Sequence, residues 1–218
     1  VQMRITTFGK AQAAWGTQRN DYPTSEYNAI VKMTRIIESV EQWGTEFEEN
    51  YIYQSPTGPL YPKVNIGGIE GGAPYRPNYF PGVCAIYVDV RMPPQVRPVT
   101  IQHEVEQLLN GLGIDYELDI YKSLLGYEGR DVELLVQSAE EVHQYLFDTK
   151  IEAEAPDRAS IWTDTNIYNE LGIPAIKIGP RGRRISARNE EIEIDAMVKA
   201  AQIYALMALD ICSRDRPA

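Results

Sequence analysis

The sequence predicts an α/β chain of two unlike parts, and three observations carry that prediction. Up to about residue 125, alternating and helical periodicities follow in the order β-α-β-β-α-β, the split βαβ or ferredoxin-like arrangement. Beyond it comes one nearly continuous apolar run, IPAIKIG (173–179), closed by Gly179-Pro180, the mark of a strand buried on both faces of a parallel sheet. The last helix, about Ile194 to Cys212, is apolar almost all round and should be covered on more than one side.

The elements follow in order. VQMRITTF alternates from its first residue, with Val1, Met3 and Ile5 on one face and Gln2, Arg4 and Thr6 on the other. A strand that begins at residue 1 with no lead-in is expected to continue a longer chain. After a polar stretch, Ile30, Met33, Ile37 and Val40 recur at helical spacing, widened by Ile36 and Trp43, with Thr24 or Ser25 as the expected cap behind Pro23. A Pro/Gly-rich turn, SPTGPLYP, leads into the short strand KVNIGGIEGG. In GVCAIYVDVRM, Val83, Ala85 and Tyr87 alternate with Cys84, Ile86 and Val88; neither face is strongly polar, so this strand belongs in the middle of its sheet. Pro93 and Pro94 stop it. Ile101, Val105, Leu108, Leu109 and Leu112 mark a second helix, and DYELDIYKS is the strand that completes the sheet.

In the remainder, Val132, Leu135, Ala139, Val142 and Leu146 mark a helix, and TDTNIYNELG reads as a short one stopped by Gly172. Only one β-α-β equivalent is found here, too few parallel strands for a doubly wound sheet, so residues 126–218 read as the tail of a larger α/β domain.

Composition narrows the function classes. The 218 residues carry a formal net charge of −10, with 44% hydrophobic and 24% charged residues: a globular chain and not a phosphate-tracking nucleic-acid binder. The local cluster Arg181, Arg183, Arg184 and Arg188 is a solvated loop or a holder of an anionic group. Cys84 and Cys212 lie in apolar patterns and read as reduced core thiols, which favours the cytoplasm. No stretch reads as long and uncharged enough to span a bilayer, and no membrane partner is expected. No H-x-D, HExxH, CxxC or paired-Glu motif occurs, and the two histidines, His103 and His143, both fall on expected helices.

Three stretches carry a family resemblance: GK followed by NAI (Gly9, Lys10, Asn28, Ala29, Ile30), GG…N..P…DVR, and TD…GIPA…GP. In their order and spacing the chain resembles the C-terminal part of the di-zinc amidohydrolases, the family of aminoacylase, acetylornithine deacetylase, succinyl-diaminopimelate desuccinylase and glutamate carboxypeptidase. The resemblance implies that residues 1–125 are a ferredoxin-like lid and dimerisation domain. It implies that residues 126–218 are the C-terminal segment of a parallel-sheet, zinc-binding catalytic domain whose N-terminal half lies outside this chain. It also implies an amide bond, N-acyl or peptide, next to a free carboxylate as substrate, and self-association through the lid.

Residue by residue, the family's lid Asn and Arg correspond to Asn78 and Arg91, at the same thirteen-residue separation. An Arg fork suits a carboxylate, and an Asn amide can donate to a developing oxyanion without adding charge. The plain alternative is that Arg91 pairs with Asp89 or a helix end. The family's substrate-side Gly-Pro loop corresponds to Gly179, Pro180 and Gly182, and Thr163-Asp164 matches a Thr-Asp pair whose plain role is a helix cap.

Two departures weigh on activity. The family's lid histidine corresponds to Ala13, and its last zinc ligand to Ser186, or to Ala187 with a one-residue shift; neither type ligates zinc in the ordinary way. The expected chemistry is therefore conditional. The chain holds no catalytic residue and no metal ligand of its own. A divalent metal, zinc first, enters only with the N-terminal catalytic segment or subunit. The chain is read as one part of such a hydrolase. Its alternatives are a degenerate relative that binds a carboxylated small molecule without cleaving it, and a pure dimerisation module.

Overall fold

The computed structural model describes residues 1–14, 23–153, 162–180, 182–184 and 187–214. They fall into two compact units, the first running to Gly126 and the second starting at Tyr127. In chain order the first unit carries β1 (Gln2–Phe8), β2 (Gln12–Ala13), α1 (Thr24–Tyr27), α2 (Ala29–Asn50), β3 (Tyr53–Ser55), β4 (Gly58–Leu60), β5 (Lys63–Gly71), β6 (Tyr79–Phe80), β7 (Val83–Arg91), α3 (Pro98–Gly111) and β8 (Tyr116–Lys122).

The main sheet has the order β5-β7-β1-β8, with every pair antiparallel, which is the ferredoxin-like topology. Period-two alternation decides what it buries. Met3, Ile5 and Thr7 of β1 face the helices opposite Val88, Ile86 and Cys84 of β7, and all are essentially inaccessible. Tyr87, on the other face, donates its hydroxyl to Glu70 at 2.7 Å, and that bond raises its pKa.

Over the buried face lie α2, with Ala29, Met33, Ile36, Val40, Trp43 and Phe47 in the core, and α3, with Ile101, Val105 and Leu109. The steps between the α2 residues are three or four, as one helical face requires. The expected stripe is thus displaced: Ile30 is exposed and Ile37 only partly buried. The helix also runs about two turns past Trp43, where Phe47 and Tyr51 stack in succession at 5.2 and 4.7 Å between ring centroids.

The cap of α2 differs from expectation as well. Thr24 and Ser25 open only the single turn α1; Asn28 caps the long helix, its Oδ1 accepting from Ile30 N (2.9 Å) and Val31 N (3.2 Å). Asn28 is itself held in a crowded corner. Lys10 N donates to Tyr27 O, Gly9 N to Gly82 O, and Ala29 N to Pro81 O. A Cβ at Gly9 would lie 2.4 Å from the carbonyl oxygens of both Tyr27 and Pro81.

The second unit carries α4 (Glu133–Phe147), α5 (Thr165–Glu170), β9 (Gly182–Arg183), β10 (Glu191–Ile192) and α6 (Ile194–Ser213). Its core is the seam between α4 and α6, built from Ala139 and Val142 against Ile203 and Met207, with Ile176 and Ile178 packed on it. Ser138, fully buried, donates to Asp210 Oδ2 at 2.7 Å, and Arg214 pairs with the same carboxylate at 2.7 Å.

Two expectations fail here. Residues 173–178 do not form a strand: among the described residues no strand lies beside them, and Asn169 and Tyr204 side chains bond two of their carbonyls, those of Ala175 and Ile178. An apolar run reports burial and not pairing, so Ile176 and Ile178 sit on the helix seam while Ile173 is exposed. The last helix is covered on one face only. Ala200, Ile203 and Met207 are buried, whereas Ile194, Met197, Val198, Tyr204 and Leu209 are exposed.

The same helix departs from the reading that no stretch is long and uncharged enough to span a bilayer. At 20 residues, with a mean hydropathy of 1.3 over its most apolar stretch, α6 is long and apolar enough by length and composition to cross a bilayer. Only Lys199 and Asp210 interrupt its last eighteen residues.

Two outcomes follow. Gly9→Ala forces the corner apart and should cost about 3 kcal/mol by overpacking, measured by urea unfolding; a loss below ~0.5 kcal/mol would mean that the corner relaxes freely. In the second unit, hydrogen bonds from Arg214 and then Ser138 hold the Asp210 carboxyl below its ordinary value of 3.8. A lowered carboxylate stabilises the fold above that ordinary value and ceases to do so as the pH falls through the lowered one. Ser138→Ala should therefore move the Asp210 titration upward and bring acid unfolding to higher pH, as read from the carboxyl carbon shift and from circular dichroism.

Candidate functional site

The strand pairing of the first unit places Asn78 and Ala13 together. The two-residue strands β2 and β6 pair antiparallel, with Gln12 opposite Phe80 and Ala13 opposite Tyr79. Ala14 N extends the ribbon by donating to the carbonyl of Asn78 at 2.8 Å. The Asn78 side chain is left exposed at the turn that feeds β7. Its backbone position is thus fixed by the ribbon while its amide is presented outward. Beside it, Arg76 lies 5.7 Å from the Tyr79 ring.

Arg91 ends the same strand at the opposite end of the sheet, in register with Lys63 of β5. Eight residue steps separate Val83 from Arg91, so β7 spans roughly 26 Å at ~3.3 Å per residue between the turn that follows Asn78 and the strand end that carries Arg91.

Arg91 itself is half-exposed, and its Nε donates to Asp89 Oδ2 at 2.6 Å. Asp89 also accepts from Gln2 Nε2 at 3.1 Å. The plain pairing open to Arg91 is therefore present. It occupies one edge of the guanidinium only: among the described residues no hydrogen bond engages the terminal Nη1 and Nη2 atoms. Those two donors are the edge that takes a carboxylate end-on.

The remaining candidates lie in the second unit. Gly179 sits under Tyr204, whose hydroxyl donates to Ile178 O at 2.7 Å and would lie 3.2 Å from a Cβ at residue 179. Pro180 follows, and Gly182 pairs with Ile192 in the β9–β10 ribbon. Arg183 turns to Glu193 at 2.6 Å, so one member of the basic cluster is balanced locally. Arg181 and Ser186 lie outside the described residues; Ala187, the alternative register for the missing histidine, closes a turn with its N–H on Arg184 O.

Thr163-Asp164 does not cap as expected. Asp164 stands at the cap position of α5 without a side-chain cap bond. The contacts there belong to Thr163, whose N–H donates to Asn166 Oδ1 and whose hydroxyl lies 2.6 Å from that of Thr165. Tyr127 completes this polar knot with a 2.6 Å bond to Thr165 Oγ1.

Among the described residues no group of three or more His, Cys, Asp or Glu side chains is placed to hold a metal ion. His103 engages Gln107 at 3.0 Å, and His143 Nδ1 lies 2.8 Å from Thr149 O, each within its own unit. Neither histidine is placed with other metal-ligating side chains to form a zinc site.

Residues 17–117 match the family model of the peptidase dimerisation domain. Over that span the first unit is similar to a peptidase dimerisation domain. Solved structures resemble the chain over nearly all its length. They include a tripeptidase from Staphylococcus aureus (20% identity, 98% of this chain and 52% of that one, TM-score 0.63). An aminopeptidase PepT from Bacillus cereus matches at 15% identity, 97% and 52% coverage, and a TM-score of 0.64. An M20 family metallo-carboxypeptidase from Sulfolobus solfataricus matches at 16% identity, 94% and 57% coverage, and a TM-score of 0.64. At these identities the likeness is one of fold, and the chain spans about half the length of the structures it matches. The matched span includes α2, β5, β7 and α3, and with them Asn78 and Arg91.

Proposed function

We propose that the chain supplies the dimerisation domain and the closing segment of the catalytic domain to a metal-dependent amidohydrolase. Its substrate is an amide, N-acyl or peptide, next to a free carboxylate. The observation that carries this reading is the unengaged end-on edge of Arg91, held at an exposed strand end by Asp89. Arg91 grips the substrate carboxylate through two parallel hydrogen bonds, and Asn78 donates to the carbonyl oxygen. The length of β7 lies between them, and on this reading Asn78 comes from a second copy of the chain.

Association runs through the dimerisation domain, whose outer strands β5 and β8 each leave a row of backbone groups unpaired within the sheet. Residues 126–218 close the catalytic domain, with Gly179, Pro180 and Gly182 beside the substrate. Divalent metal, zinc first, is bound by residues outside this chain, in the cytoplasm, where Cys84 and Cys212 stay reduced.

A second reading rests on Ala13. It stands in the ribbon beside Asn78, where a methyl group can neither donate nor accept a proton. On that reading the chain binds a carboxylated ligand, or only dimerises, without chemistry.

The test is a calorimetric titration of the chain, with any chain that co-purifies, by N-acetyl amino acids. Arg91→Lys keeps the charge and loses the fork; a charge-assisted bond is worth ~1.5–3 kcal/mol, so affinity should fall by about one to two decades, and further in Arg91→Ala. Stability should change by at most ~1 kcal/mol, since the pair with Asp89 is exposed. If Arg91→Lys instead melts several degrees lower while binding is unchanged, the residue is structural and the carboxylate reading is wrong. Binding without hydrolysis in the presence of zinc and the co-purifying chain would select the second reading.

A further inference from the structure

On the helical side of the first unit, α2 and α3 border an open cavity of about 510 Å³, whose lining includes neither Asn78 nor Arg91. Its size is that of a small-molecule site. The aromatic side chains Trp43, Phe47 and Tyr51 line it from α2. Glu104 reaches in from α3 and Glu46 stands at its rim, while neither lysine nor arginine lines it.

Glu104 is the organised group. Trp43 Nε1 donates to its Oε2 at 2.9 Å and Tyr51 Oη to its Oε1 at 2.6 Å. Each oxygen thus spends one lone-pair position on a neighbour and keeps one; a carboxylate offers about four in all. The phenol of Tyr51 is shifted upward, first by this hydrogen bond, as donation to an ionised acceptor requires. Both oxygens are pinned, so the carboxylate loses little freedom when a further donor arrives. Gln42 holds Glu46 in the same way, at 3.1 Å.

A pinned carboxylate, a second carboxylate and aromatic walls form the complement of one chemical class. We infer that the cavity between α2 and α3 is a binding site for a small organic cation carrying a guanidinium group. The guanidinium takes the two remaining lone pairs of Glu104 as a fork, its face lies against the part-exposed Tyr51 ring, and Glu46 adds long-range attraction. An anion is repelled by two carboxylates with no opposing charge in the lining. A neutral planar amide matches the shape but loses the charge-assisted bonds.

The experiment uses the whole chain, labelled with nitrogen-15, titrated with methylguanidinium and separately with N-methylurea, its uncharged isostere. The reporter is the Trp43 indole N–H resonance, because that proton lies on Glu104. Methylguanidinium should move it saturably, with a dissociation constant of roughly millimolar order for so few atoms; N-methylurea should not move it. Glu104→Gln should weaken binding by roughly tenfold or more. That variant disturbs two internal hydrogen bonds, so Glu46→Gln, exposed and outside them, serves as the second variant and should weaken binding several-fold with an unchanged melting curve. The inference is overturned if N-methylurea shifts the resonance as methylguanidinium does, if the response never saturates, or if Glu46→Gln binds like the parent. Arg91→Ala should bind methylguanidinium like the parent, which separates this site from the carboxylate site proposed above.

Discussion

The first unit depends on a corner with no room for a side chain. At Gly9 the chain leaves β1 between the carbonyls of Tyr27 and Pro81, and three backbone hydrogen bonds lock the end of β1, the entry to α2 and the approach to β7. From this follow the helix cap at Asn28, the lie of α2 across the sheet, and the ribbon that carries Ala13 to Asn78. A methyl group at residue 9 would have to displace backbone on both sides, and backbone in a closed corner has nowhere to go. The GK…NAI signature is thus the trace of a packing constraint before it is anything chemical.

How much was legible follows from which signals are local. The alternation in VQMRITTF and GVCAIYVDVRM survived because one face of each strand is fully buried, and a slip of one residue would expose Met3, Ile5 and Ile86. The cap of α2 was misread because Thr24 and Ser25 satisfy the local cap rule equally well; what chooses Asn28 is Ala29 N reaching Pro81 O, a contact across fifty residues of sequence. The displacement of the helical stripe has the same origin. Periodicity locates an apolar face to within one residue, and only the sheet beneath decides between Ile37 and Ile36.

In the second unit the failure is of another kind. IPAIKIG has the composition of a buried parallel strand, yet a strand is a property of two segments, and composition describes one. Its carbonyls find Asn169 and Tyr204, and its isoleucines find the α4–α6 seam. The last helix fails likewise: apolarity all round states what a helix tolerates as neighbours, not how many it has here. The site residues divide along the same line. Asn78 and Arg91 are legible by motif, and the length of β7 between Val83 and Arg91 can be counted from the sequence. Glu104 left no motif at all, since a single glutamate on an amphipathic helix is the commonest of surface residues; only its two aromatic donors distinguish it.

The Asp89–Arg91 pair bears most on whether the chain can recognise a carboxylate. A partner two residues away on the same strand face competes with any ligand for the guanidinium, and might be thought to disable it. The magnitudes argue otherwise. An exposed pair of this kind is worth ~0–1 kcal/mol, whereas a bidentate carboxylate in a closing site gains charge-assisted bonds of ~1.5–3 kcal/mol each. Asp89 is also engaged through a different edge, Nε, so the ligand adds to the pair and need not displace it. What Asp89 does is hold a long side chain in one orientation, removing rotamer freedom that ligand binding would otherwise have to overcome. Gln2, bonded to the same carboxylate from the adjacent strand, fixes Asp89 in turn. The strand end is thus built as a chain of supports, Gln2 to Asp89 to Arg91, in which the last member is held through Nε alone.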